Sequence, residues 1–398
     1  MCIRDSDSAE VYAQKAMALY PTWVKPYTKL AYLIGEKHRQ FDRAESYLEK
    51  AMRLDSNSAE VYNGLGIVYT RTGRFEEAEK YLKRAIQFDS TIAYYYNALG
   101  FLYQFTRRLD EAEKYFKKVI QFDSTNAVAY SNLGFVYRRT RRYDESEKYC
   151  KKAIQLDSTY VSAYGNLGIV YYRTRRYDES EKYSKKAIQL DSTSLGAHTN
   201  LGNIYIDTYQ YKKAESQYKK IIKLDSTQGP PWVNLGEVYL KTNRPEKAEA
   251  AFLKTLQLNV HNPYPHPWAY DGLGFLDLQN QRFGEAEERF KKALELKPDF
   301  DRAYRHLGLL YIRTGRFDEA KSSLDKALEL DLDNSIARIY LAQWSLKMNQ
   351  PEQAWQYLGE ALEKGYGDFE KLQSEPDFED MQKDPKWNKL MQKYFPDQ

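Results

Sequence analysis

The sequence predicts an all-α solenoid, and three observations predict it. A Leu-Gly pair recurs at Leu65-Gly66, Leu99-Gly100, Leu133-Gly134, Leu167-Gly168, Leu201-Gly202, Leu235-Gly236, Leu273-Gly274 and Leu307-Gly308. Every step is 34 residues except that from Leu235 to Leu273, which is 38. Within each period two apolar stripes run at helical spacing, and a short polar turn separates them. Such a unit has too little core to stand alone, so units must stack on their neighbours.

Residues 59–92 show how one unit is built. Tyr62, Leu65, Gly66 and Tyr69 share one helical face. Arg71-Thr72-Gly73-Arg74 follows as a turn, with Gly where the chain must leave the helix. Phe75, Ala78, Leu82, Ala85 and Phe88 form the second stripe. Gly66 and Ala78 are small, as a close helix approach requires. Asp89-Ser90-Thr91 closes the unit, and its short polar side chains are expected to cap the next helix.

This pattern resembles the tetratricopeptide repeat, matched at Tyr130, Leu133, Gly134, Tyr137, Ser146, Cys150 and Ala153. Ser146 and Cys150 depart as small residues in a core register. The family's proline at the repeat end is Ser at Ser90, Ser124, Ser158, Ser192 and Ser226, and only Pro298 matches. The resemblance covers about Asp7 to Asp368. It implies a right-handed superhelical solenoid of helix-turn-helix repeats, its concave surface lined by the first helix of each repeat.

In chain order, Met1-Cys2-Ile3-Arg4-Asp5-Ser6 fits nothing around it and reads as a sequencing-adapter remnant, with the natural N-terminus missing. Residues 7–23 read as the second helix of a truncated repeat, because Ala9, Tyr12, Ala16 and Leu19 match Ala78, Tyr81, Ala85 and Phe88. Seven repeats are expected over 24–262, the first with an extra residue in its turn. In three turns Arg107, Arg141 and Arg175 replace Gly, so these turns are strained at about 1 kcal/mol each or use another geometry. Pro245 and Pro351 each open a second helix, where a missing N–H costs nothing. Residues 263–266 are a Pro-rich insertion. Three repeats follow over 267–368, the last degenerate, with Arg338 for the aromatic and Ser345 for the Tyr. Residues 369–398, with Leu372, Phe378, Met381, Trp387, Leu390 and Tyr394, are expected to form two short helices. The tail resembles segments that cap bacterial arrays.

Composition excludes several classes. The chain of 398 residues carries a net charge of +4, so no global field draws it to nucleic acid or membrane. No apolar run reaches the ~18 residues of a membrane span. Two cysteines, Cys2 and Cys150, exclude a disulfide scaffold, and Cys150 stands in the core register. No nucleophile-base pair or phosphate loop emerges, so neither enzyme nor cofactor is expected. His261 and His266 lack supporting ligands for a metal. The cytoplasm is the expected compartment.

The resemblance also places the candidate site. It points repeat positions 2, 5, 6, 9, 12 and 13 into the groove. Asn132, Asn166, Asn200 and Asn234 hold position 6 in four successive repeats. An amide can pair with both groups of a peptide unit, so a ladder of them can hold an extended chain. The arrangement is similar to the asparagine ladder of the repeat region of O-linked N-acetylglucosamine transferase. Asn63 and Asn97 lie one position early and are left outside it. Around the ladder stand Phe101, Phe135, Ile169 and Tyr172, with Arg138, Arg139 and Arg173. That mixture suits a peptide with apolar and acidic side chains, through bidentate Arg–carboxylate pairing. The chaperone-tail clamp of related repeats is poorly matched. The turns at Arg107-Arg108, Arg138–Arg142 and Arg173–Arg176 read as a solvated, salt-bridged edge; without stacking aromatics, nucleic acid is not the expected partner. The expected function is a protein-interaction scaffold. A docking arm of a larger enzyme and an anionic-polymer (RNA) binder stay open as alternatives.

Overall fold

In the computed structural model residues 2–258 and 266–396 are described, with side chains from Glu10 onward. Every regular element among them is helical. After α1 (Cys2–Leu19) the chain runs as helix pairs. These are α2 (Val24–His38) with α3 (Phe41–Leu54), α4 (Ala59–Thr72) with α5 (Phe75–Phe88), and α6 (Ala93–Phe105) with α7 (Leu109–Phe122). Next come α8 (Ala127–Arg139) with α9 (Tyr143–Leu156), and α10 (Val161–Arg173) with α11 (Tyr177–Leu190). Then follow α12 (Leu195–Asp207) with α13 (Tyr211–Leu224), and α14 (Gly229–Lys241) with α15 (Pro245–Leu258). The last pairs are α16 (His266–Gln279) with α17 (Phe283–Leu296), α18 (Asp301–Arg313) with α19 (Phe317–Leu330), and α20 (Ser335–Lys347) with α21 (Pro351–Glu363). The tail forms α22 (Phe369–Ser374), a 3₁₀ turn at Pro376–Phe378, α23 (Glu379–Gln382) and α24 (Pro385–Tyr394). The all-α solenoid of helix-turn-helix repeats is therefore present.

The chain divides into two compact units, Met1–Ile204 and Tyr205–Gln398. In each, successive first helices touch one another, α4 with α6 and α8 with α10 in the first unit, α16 with α18 and α18 with α20 in the second. The first helices are consequently buried on two sides and the second helices on one. The second helices are accordingly the strongly amphipathic ones: α5 buries only Ala78, Leu82 and Ala85. A Cβ at Gly66 would stand 2.5 Å from Leu82 Cγ, so the close approach is Gly66 on Leu82. Cys150 is fully buried opposite Gly134.

Three local expectations change. The Asp-Ser-Thr segments do not cap the following helices. Asp89 instead accepts from its own Thr91 N–H (2.9 Å) and hydroxyl (2.6 Å), closing a local turn, and Ile92 stands at the N-cap. Asp89 stands three residues before the N-cap, too early to reach the first turn. True side-chain caps occur at Asn126 and Asn334, which accept from Ala129 and Ala337 N–H. The turn arginines are strained rather than rearranged: φ is +62° at Arg107, +61° at Arg141 and +58° at Arg175, the conformation Gly73 takes at +82°. The tail folds into three short helices and a 3₁₀ turn rather than two helices. Its Leu372, Phe378, Met381, Trp387 and Met391 join the core of Tyr366, Leu358 and Leu362. His261 and most of the Pro-rich insertion lie outside the described residues.

Candidate functional site

The first-helix face of the first unit carries most of the sequence-selected residues. The asparagines on it do not behave alike. Asn132 Nδ2 donates to Asn97 Oδ1 at 3.2 Å. Asn166 is buried, and its Nδ2 reaches Ser131 O at 3.5 Å. Asn200 is only 4% exposed and donates to the hydroxyls of Ser180 (3.0 Å) and Ser184 (2.8 Å). The difference lies in the second helix of the preceding repeat. Asn200 faces Ser184, whereas the equivalent residue below Asn166 is Cys150 and below Asn132 is Phe116. Only the serine offers a hydroxyl. Asn132 stays half-buried on the face, and Asn97, left outside by its register, is bonded to it. Asn234, in the second unit, is half-buried.

Beside Asn132 lies a cationic and aromatic patch. Arg138 stacks its guanidinium on Phe135, 4.9 Å from the ring centroid. Its Nε is enclosed and has no hydrogen-bond partner. Burial, and then the neighbouring Arg139 and Arg173, lower its pKa, so these three guanidinium groups crowd one another. Arg139 and Arg173 are exposed, and neither makes an ion pair among the described residues. Phe101 is covered by Arg71 at 5.1 Å, and Ile169 and Tyr172 are half-buried on the next helix. Gln104, at the Arg138 position one repeat earlier, has an enclosed Oε1 with no partner. Position-by-position register, rather than residue type, would have singled it out.

The turn edge divides into two kinds of arginine. Arg142 pairs with Glu113 of the preceding repeat (3.0 Å) and Glu145 (2.9 Å), and lies 4.3 Å over the Tyr137 ring. Tyr137 Oη donates to the same Glu113 at 2.9 Å. Burial opposes ionisation of Glu113, but hydrogen bonds from Lys117 and Tyr137 hold its carboxyl below the usual range. Arg108 with Glu79 and Tyr103, Arg176 with Glu147 and Tyr171, and Arg316 with Glu287 and Tyr311 repeat this staple. These arginines hold repeats together. Arg107, Arg141 and Arg175 make no ion pair among the described residues and face solvent.

The second unit holds a buried charged cluster that the sequence did not reveal. Asp271 is fully buried, accepts from His306 Nδ1 (2.8 Å) and forms an ion pair with Arg302 (2.5 Å); Arg302 also pairs with Glu237 at 2.5 Å. Burial works against the Asp271 charge, yet His306 and Arg302 hold its pKa down at about 2. Burial lowers the His306 pKa, and the neighbouring Asp271 opposes that shift. The charges of the cluster are paired with one another, although Asp271 Oδ2 and the neighbouring Arg305 Nε have no hydrogen-bond partner among the described residues. Among the described residues no His, Cys, Asp and Glu group could hold a metal, and no helix is long and apolar enough to cross a membrane.

Comparison with known proteins follows the fold. Residues 158–381, more than half of the chain, match the model of the C-terminal domain of cilia and flagella-associated protein 70. Two tetratricopeptide repeat models match residues 125–190 and 37–100. No curated protein matches the chain. Among solved structures it is similar to the anaphase-promoting-complex hetero-tetramer Cut9–Hcn1, at 14% identity, with 92% of each chain covered and a TM-score of 0.54. Human IFIT1, solved as a dimer with m7Gppp-AAAA, is 17% identical, with 80% of this chain and 76% of that chain covered and a TM-score of 0.55. A tetratricopeptide repeat protein from Parabacteroides merdae is 17% identical over 62% of this chain and 97% of its own, with a TM-score of 0.50.

Proposed function

We infer the function from one premise: this chain belongs to the tetratricopeptide repeat family typified by the C-terminal domain of cilia and flagella-associated protein 70. It is, in general terms, a protein-interaction scaffold. The finer reading is that the first-helix face of the first unit holds an extended peptide carrying acidic and apolar side chains. Asn132 would pair with the peptide backbone. Phe101, Phe135, Ile169 and Tyr172 would take its apolar side chains, and Arg138, Arg139 and Arg173 its carboxylates. Asn166 and Asn200 would support the face from beneath.

One observation carries this reading. Arg138 is a largely enclosed cation with an unpartnered Nε, crowded by two more guanidinium groups and stacked on an aromatic ring. A buried charge is costly unless paired. Every staple arginine on the turn edge has its carboxylate, and these three do not. An acidic side chain would supply the missing partner in bidentate form.

The test is capture from a library of extended peptides by the wild type and by Arg139→Ala/Arg173→Ala, whose exposed side chains can be removed without disturbing the core. Acidic-apolar peptides are expected to bind the wild type and to weaken at least tenfold in the variant at an unchanged melting temperature. Equal capture by both proteins refutes the assignment. Preference for single-stranded RNA over any peptide, with affinity falling steeply in salt, would move the site to the anionic-polymer reading.

A further inference from the structure

A second feature of the first unit lies near its N-terminal end, away from the arginine patch. Between α2 and α4 the first-helix face opens into a cavity of about 90 Å³, lined by Tyr32, Tyr94, Ile67, Gly35, Gly64 and Asn63 among others. Tyr32 and Tyr94 are 56% and 48% exposed and wall the mouth. Burial of the Tyr94 phenol, with Tyr32 and Glu36 close by, pushes its pKa up to about 12. One ion pair is already made at the rim. Arg71 and Glu36 form two bonds of 3.1 Å, and Glu60 accepts from Thr28 at 2.9 Å.

Asn63 in this cavity is 4% exposed, and it makes no hydrogen bond among the described residues. The register explains why. Asn97, its equivalent one repeat on, accepts from Asn132, 35 positions further along. The residue 35 positions beyond Asn63 is Ala98, which has no donor. A buried amide without a partner is destabilising, so the site is incomplete as it stands.

We propose that this cavity is a subsite for a tyrosine side chain of the bound peptide, its ring between Tyr32 and Tyr94 and its hydroxyl on the Asn63 amide. The inference rests on the peptide reading above. Three properties select the ligand. The walls are aromatic and aliphatic, so the occupant is an apolar ring. Arg71 and Glu36 at the rim are paired with each other, so the occupant need not bring a charge to meet them. The unpartnered atom is the amide oxygen of Asn63, an acceptor, to which a phenolic hydroxyl can donate. Phenylalanine would fill the same space and leave the amide unpaired.

The experiment uses pairs of fluorescein-labelled acidic peptides that differ only in Tyr or Phe, with that residue stepped through each position. Binding is read by anisotropy to the wild type, to Ala98→Asn, to Asn63→Leu and to Tyr94→Ala. In the wild type one register is expected to favour Tyr over Phe by about tenfold. Ala98→Asn supplies the internal donor, and Asn63→Leu removes the amide; both should bring the ratio to about one while affinity for the acidic peptide persists. Tyr94→Ala, at an exposed position, should weaken Tyr and Phe peptides together. A wild-type ratio near one at every register, with acidic peptides still bound, overturns the subsite and leaves the arginine patch standing. If no peptide binds the wild type, both readings fall. A Tyr preference that survives Asn63→Leu and Ala98→Asn alike also overturns the assignment.

Discussion

Asp271→Asn should destabilise the second unit by about 3 kcal/mol at neutral pH. The carboxylate is fully buried, pairs with Arg302 at 2.5 Å and accepts from His306 Nδ1 at 2.8 Å. Breaking a buried ion pair costs about 3–5 kcal/mol, because the remaining charge is left in a poorly solvating site. Arg302 keeps Glu237 at 2.5 Å and its side chain is 23% exposed, which places the cost at the lower end. The Asp271 pKa lies at about 2 in the folded protein, below the usual carboxylate value, so its ionised form stabilises the fold. A depressed carboxylate stabilises above its unfolded pKa and loses that contribution as pH falls through the folded one, so the penalty of the substitution should shrink between pH 4 and 2. Urea unfolding followed by tryptophan fluorescence reads this unit, since Trp232, Trp268, Trp344, Trp355 and Trp387, five of the six tryptophans, belong to it. A loss below about 1 kcal/mol at pH 7, or an equal loss at pH 7 and pH 2, would refute the reasoning.

Other outcomes follow from the same geometry. Asn200→Ala leaves two buried serine hydroxyls without their donor and should cost about 1–3 kcal/mol in urea unfolding, whereas Asn132→Ala, half-buried and singly bonded, should cost less than about 1 kcal/mol. Arg141→Gly relieves a left-handed arginine and should raise the melting temperature, by up to about 1 kcal/mol of stability, with Arg107→Gly and Arg175→Gly behaving alike. Burial pushes the Cys150 thiol up to about 12, so it should resist Ellman's reagent at pH 8 in the folded protein and react at once in denaturant. Hydrogen bonds from Arg316 hold Glu287 at about 2, so acid titration should leave its joint intact above pH about 4.3 and weaken it from there towards pH 2, as read by circular dichroism; Glu287→Gln should flatten that limb.

The helix pairs were legible because their cause is local. A stripe such as Phe75, Ala78, Leu82 and Ala85 has one way to be buried, and the 34-residue recurrence names the neighbour that buries it. The alignment of repeats singled out the turns at Arg107, Arg141 and Arg175 but left two geometries open, and the backbone angles decided between them. The state of the asparagines was not. Asn200 and Asn132 share a register and a Leu-Gly context, yet one is bonded within the core and the other stands at the surface. The deciding residues, Ser184 and Phe116, lie 16 positions upstream on a different helix. Asn63 shows the same limit in the other direction, since its missing partner is an alanine 35 residues later. The Asp271 cluster draws on three repeats at once, Glu237, Asp271 and Arg302 with His306, and no single period contains the pattern.

The staple of tyrosine, glutamate and arginine has a consequence for how such a chain can grow. The tyrosine always stands 24 residues after its glutamate, and the arginine 29 after it, at Glu79, Glu113, Glu147 and Glu287 alike. Both separations are shorter than the 34-residue period. A tandem copy of one period therefore arrives with a glutamate for the next joint and an arginine and tyrosine for the last. Lengthening the gene by whole periods creates no orphaned half-joint, while an insertion of any other length breaks one. The near-identity of residues 127–160 and 161–194 is what such growth leaves behind. Selection on these joints acts on a single template, and the number of copies is free to drift until a ligand fixes it.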